Sequence, residues 1–298
     1  MPLLTNPLAS AEQLSSRLSS NLPTDVLDAV FVATQCLTQA AGILLELPQS
    51  TTAQANVILA RYWVSARLGE FEFSVRSPGS PVETYETNNE VQDLSAAAIY
   101  VVSKDGPSPR SPRDLCSVYT YLCSSSSSFF RSKEVYRGYP SAYCPSESAY
   151  ASFHSRLMEV EARILYDLGY DTTVALPHPL AITYLQSLDF AGKPRKEITS
   201  RVVAYLNTAL ISPQVLYLTH QPGEIATAAI FLAARDVGAK MPPEPWWELF
   251  DVDREQLGFL ACSLNSVEPL MRKQKEEFKF LADGMVTRRK VEEALATS

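Results

Sequence analysis

At 298 residues the chain is long enough for two domains of ordinary size, and with 46% apolar and 20% charged residues each half can build a packed core. A net charge of −7 and a pI near 5.1 weigh against a general nucleic-acid binder, which needs a basic face to displace counterions from phosphate. The five cysteines (Cys36, Cys116, Cys123, Cys144, Cys262) are odd in number and form no C-x-x-C pair. They read as reduced, mostly buried thiols rather than a zinc site or disulfide framework. The N-terminus shows no basic region followed by an apolar core, and no uninterrupted apolar run reaches about 18 residues. The expectation is a soluble, intracellular protein.

Glycine is scarce (11) and proline frequent (20), so helices punctuated by proline are expected. Residues 1–21 either lack order or start a short helix at Ser10, where Ser10 and Gln13 have capping-box spacing. A long amphipathic helix is predicted from Thr24 to Leu47, with Val26, Leu27, Val30, Phe31, Leu37, Ala41 and Leu44 at helical spacing. A second is expected over 53–68, a third over 89–104, a fourth over 111–123 with Pro112 in its first turn, and a fifth over 147–168 closed by Gly169. Residues 69–88 and 124–148, the latter holding a five-serine run, read as long connectors. After a link of about ten residues, Gly169 to Pro179, helices are expected over 178–190, 194–211, 222–237, 245–250 and 253–267. A polar tail follows, helical at first and interrupted at Gly284.

One stretch organises this list. Leu94 to Asp105 (LSAAAIYVVSKD) returns as Ile225 to Asp236 (IATAAIFLAARD) at a constant offset of 131. Ala97, Ala98 and Ile99 match Ala228, Ala229 and Ile230; Lys104 matches Arg235. Such a helix lets neighbours approach on every side, because larger residues would push them apart at about 1–3 kcal/mol each. Its duplication points to two copies of one five-helix domain.

Five helices around a small-residue helix, used twice, resemble the cyclin fold. The likeness is to the transcription and splicing cyclins, L-type above all, with the Q, K and T types as cousins. It rests on PRDLCSVY (Pro112 to Tyr119), LPHPL (Leu176 to Leu180), YLQSL (Tyr184 to Leu188), AAIFLAAR (Ala228 to Arg235) and PWWELF (Pro245 to Phe250). The resemblance implies an all-α chain of tandem cyclin boxes: an N-terminal segment (1–21), a kinase-binding box (22–170), a second box (171–270) and a tail (271–298). It implies a non-catalytic regulatory subunit with no cofactor or metal. Its partner would be a cyclin-dependent serine/threonine kinase, in RNA polymerase II transcription or pre-mRNA processing, in the nucleus. Transcription or splicing factors are possible further partners; direct sequence-specific nucleic-acid or membrane binding is not expected. By the same resemblance Lys104 and Glu161 contact the backbone around the kinase C-helix, with Tyr100, Val101, Leu157 and Ile164 as an apolar rim. After Lys104 this chain has Asp105-Gly106-Pro107 where relatives commonly have an acidic pair. The competing readings are a basal transcription factor of the factor-IIB class and a helical scaffold without a kinase.

Other features carry less. His154, His178 and His220 lack metal spacing, and His178, between two prolines, reads as a structural cap. Trp246-Trp247 reads as a core anchor. Ser77-Pro78, Ser80-Pro81, Ser108-Pro109 and Ser111-Pro112 suit turns first and proline-directed phosphorylation second. Arg288-Arg289-Lys290 is too short for a nuclear signal, and no phosphate loop or nucleophile elbow occurs.

Overall fold

The computed structural model describes residues 5–18, 23–65, 90–124, 127, 143–188 and 195–278. The expected connector 69–88, most of 124–148, the interruption at Gly284, the first two Ser-Pro pairs and the basic triplet at 288–290 lie outside the described residues. The described residues are helical and contain no strand. They divide into two compact units, Ser10–Thr172 with Gln274–Ser298, and Met1–Ala9 with Thr173–Lys273.

The first unit holds α1 (Ala11–Leu18), α2 (Thr24–Leu44), α3 (Gln49–Ser65), α4 (Glu90–Lys104), α5 (Pro112–Cys123) and α6 (Glu147–Asp167). Ser10 and Gln13 do cap α1: the Ser10 N–H donates to Gln13 Oε1 (2.8 Å) and the Gln13 N–H to Ser10 Oγ (3.2 Å). In α2 an 18-residue window is apolar enough for a membrane span, yet 78% of it is buried, so its hydropathy is that of a core helix. Expected to reach Leu47, α2 stops at Leu44. Arg110 donates to the carbonyl oxygens of Leu45 (2.8 Å) and Glu46 (3.3 Å), and Glu46 turns to φ 53°. α2 and α3 cross closely. A Cβ on Gly42 would sit 2.6 Å from Thr52 Cγ2, and the side-chain amides of Gln35 and Asn56 pair there. That crossing draws Thr51 and Thr52 into the buried first turn of α3, which starts at Gln49 rather than Ala53.

α4 is the hub of this unit and packs against α2, α3, α5 and α6. Ala96, Ala97, Ala98 and Ile99 are fully buried. A buried chain of hydroxyls, Thr38 to Ser95 (2.7 Å) to Tyr119 (2.6 Å), joins α2, α4 and α5, so the Ser95 hydroxyl on this crowded helix is satisfied. Ser111 and Asp114 form a capping box on α5 and Ser146 caps α6.

The second unit holds α7 (Pro177–Ser187), α8 (Arg195–Ile211), α9 (Leu216–Thr219), α10 (Pro222–Val237), a 3-10 turn (Trp246–Phe250) and part of α11 (Arg254–Glu277). Its hub, α10, packs against α7, α8, α9 and the 3-10 turn. Ala226, Ala228, Ala229 and Ile230 are fully buried, and Gly238 at φ 65° closes the helix. Trp246 is a core anchor, 3% exposed. The short α9 had no periodic signal. The segment 245–250 is a 3-10 turn rather than an α-helix, and α11 runs past Val267 and through Pro269 to Glu277.

Candidate partner-binding site

Lys104 stands at the C-terminal end of α4, where the helix dipole favours a cation. Glu161 stands on α6, and Lys104 Nζ donates to Glu161 Oε1 at 2.5 Å. The side chains are 34% and 11% exposed, so the pair lies at the rim of the α4–α6 contact, with the lysine outward. Hydrogen bonding to Glu161 raises the Lys104 pKa against the opposing cost of burial. The ammonium also lies 5.9 Å from the centre of the Tyr100 ring. One N–H of three is committed to Glu161 Oε1, so the pair keeps donor and acceptor capacity on one surface.

The inward stripe of α6 is Phe153, Leu157, Glu161 and Ile164. This explains the low exposure of Glu161 and corrects the expected apolar rim. Leu157 and Ile164 are 1% and 0% exposed, and Val101 on α4 is 3% exposed. Those three side chains fill the core and offer nothing to a partner. Tyr100 alone of the four is half-exposed. Sequence reasoning did not single out the exposed aromatics at the end of α6, Tyr166 (76% exposed) and Tyr170 (71%). Tyr170 adopts φ 62° after Gly169 at 59°, a double left-handed turn that ends the helix.

A second α4–α6 link was also missed. Arg156 Nε donates to Asp93 Oδ2 at 2.9 Å, with Asp93 only 7% exposed. Burial raises the Asp93 pKa and Arg156 opposes that rise. The sequence signal was there: Asp93 and Lys104 are charges in an otherwise apolar stretch, and each needs a counter-charge once buried.

In the second unit Arg235 takes the place of Lys104. It is 53% exposed and reaches Asn265 of α11 (3.5 Å) and the neighbouring Asp236 (3.9 Å). The three histidines stand apart: His154 by Tyr150, His178 with Nε2 3.0 Å from Asn207 Oδ1, and His220 stacked on Phe259. Cys144 and Cys262 are exposed, contrary to a mostly buried set. Burial raises the thiols of Cys36 to about 11 and Cys123 to about 12.

No protein-family model matches the chain. An uncharacterized cyclin-L1-like protein of Schizosaccharomyces pombe is 28% identical over 262 residues, which span 86% of this chain and 91% of that protein. Human cyclin-L2 is 27% identical over 282 residues, 94% of this chain and 47% of cyclin-L2. Chicken cyclin-L1 is 26% identical over 284 residues, 90% and 47%. The chain therefore spans about half the length of these two vertebrate relatives. Among solved structures, a chain of the yeast RNA Pol II CTD kinase CTDK-1 complex superposes with a TM-score of 0.63 at 14% identity, over 88% of this chain and 73% of that one. A chain of the CAK complex from Chaetomium thermophilum gives 0.54 at 14% identity, over 90% and 76%. With its two helical units each built on a small-residue hub, the chain has the tandem cyclin-box fold, and its sequence is similar to those of L-type cyclins at 26–28% identity.

Proposed function

We propose that this protein is a non-catalytic regulatory subunit that binds a cyclin-dependent serine/threonine kinase and stabilises its active state. The observation that carries this reading is the Lys104–Glu161 pair, formed at the exposed end of the first hub helix in a chain whose relatives are L-type cyclins. An active kinase needs its C-helix turned inward to form the internal Lys–Glu pair. A subunit that contacts the inward state better shifts the equilibrium by that difference in affinity. Lys104 offers ammonium N–H donors and Glu161 a carboxylate acceptor, which together suit a main-chain segment presenting carbonyl and N–H groups. The contact between the two side chains holds both in place before a partner arrives, so little rotamer freedom is lost on binding. Tyr100, whose ring centre lies 5.9 Å from the Lys104 ammonium, supplies aromatic surface beside them.

The resemblance to L-type cyclins favours work in RNA polymerase II transcription or pre-mRNA processing, in the nucleus. The test is affinity purification of the tagged chain from native extract, followed by mass spectrometry and a kinase assay on the eluate. The expected result is one co-purifying cyclin-dependent kinase whose activity rises with added chain. Recovery without any protein kinase would refute the proposal.

A further inference from the structure

We propose that the second box carries a peptide-binding site that reads an asparagine side chain, and that the chain's own N-terminal segment occupies it. This inference is independent of the kinase reading. Residues 5–9 have no helix or strand of their own and belong to the second unit, whereas Ser10 onward belongs to the first. Between exposed Thr5 and Pro7, Asn6 is only 7% exposed. Its side-chain amide makes a paired contact with one peptide unit: Asn6 Nδ2 donates to the Ala175 carbonyl (2.8 Å), and the Ala175 N–H donates to Asn6 Oδ1 (2.7 Å). The side chain of Gln221 returns the same pattern to the Asn6 main chain. The Asn6 N–H donates to Gln221 Oε1 (3.0 Å) and Gln221 Nε2 donates to the Asn6 carbonyl (3.1 Å). A fifth bond runs from the Ala9 N–H to the Leu218 carbonyl (2.8 Å).

Each half of this contact demands an amide. Aspartate has no donor and would set a carboxylate against the Ala175 carbonyl. Alanine would leave buried main-chain groups of Ala175 unsatisfied, since Ala175 is 3% exposed. The three anchors sit at fixed points of the box: just before α7, within α9 and just before α10. The site is therefore built by the box, and the ligand is an extended peptide held by its backbone and one asparagine. Its covalent attachment gives the native segment a high effective concentration over any peptide in solution.

Residue-resolved hydrogen exchange on the full chain tests this, together with binding of a fluorescent peptide of residues 1–10. In the wild type the Asn6 and Ala9 amides are expected to be protected and the peptide not to bind. In full-length Asn6→Asp and Gln221→Ala, both amides should exchange at least tenfold faster while α10 amides keep their protection, which reports an intact fold. The Asn6→Asp chain should capture the wild-type peptide but not a peptide carrying the same substitution, and the Gln221→Ala chain should capture neither. Exchange at Asn6 and Ala9 unchanged by Asn6→Asp, or equal peptide binding by wild type and Asn6→Asp, would overturn the proposal.

Discussion

The two boxes share a hub and differ at its end. In both, three alanines and an isoleucine are fully buried and let surrounding helices close in. At the end of α4 a lysine meets a carboxylate at 2.5 Å; at the end of α10 an arginine reaches a neutral asparagine at 3.5 Å and is 53% exposed. Packing therefore explains what the copies have in common, and charge explains where they part. A cation without a carboxylate on the facing helix is a solvated surface group; a cation paired with one is held in a fixed position.

The largest expected effect breaks the comparison inside the first box. Asp93→Ala leaves Arg156 without its buried carboxylate and should cost about 3–5 kcal/mol, read as a drop in the urea midpoint. Arg235→Ala in the second box should change stability by about 0.5 kcal/mol or less. Next come the hubs themselves. Ala97→Leu and Ala228→Leu should each destabilise by about 1–3 kcal/mol, since both sites are fully enclosed. A large cost at one and none at the other would show that the boxes do not share a packing solution.

Acid should separate the boxes more gently. Burial lowers the pKa of His178 and His220, both in the second unit. A histidine whose folded pKa lies below its unfolded value of about 6.5 gives stability that is present above that pH. This stability is lost as pH falls below it towards the folded pKa. Thermal unfolding followed by tryptophan fluorescence, with Trp246 and Trp247 reporting the second unit, should show a falling midpoint from about pH 6.5 downward. His178→Asn should flatten that slope. The Lys104 pKa is raised, so its contribution is complete below about 10.4 and is lost only in stronger alkali; the pair is intact across the physiological range. Lys104→Met should also cost little stability, about 1 kcal/mol or less at this partly exposed site, still more than Arg235→Ala.

The hub duplication was legible because small-residue patterning is local and repeats in register, so Ala96–Ile99 and Ala228–Ile230 gave away the fold before any helix was placed. Lys104 and Glu161 were legible only through resemblance, since 57 residues separate them and neither is unusual alone. The apolar rim was misread because spacing on α6 identifies an inward stripe without saying which edge of it is exposed. Leu157 and Ile164 lie in the middle of that stripe and are buried with it. The Asn6 anchor was invisible for a related reason: its side chain pairs with the main-chain N–H and carbonyl of Ala175, which no side-chain pattern encodes.

The central claim is that the charged end of the first hub, and not its copy, holds the kinase. The most direct measurement is the affinity of the purified partner kinase for Lys104→Glu, Glu161→Lys and Arg235→Glu, with circular dichroism confirming equal helicity. The account predicts that each first-box reversal weakens binding about tenfold or more while Arg235→Glu leaves it unchanged. The double reversal, which restores attraction between positions 104 and 161 but inverts the charges shown to the partner, should remain weak. Wild-type affinity in that double variant, or an equal loss at Arg235, would contradict it.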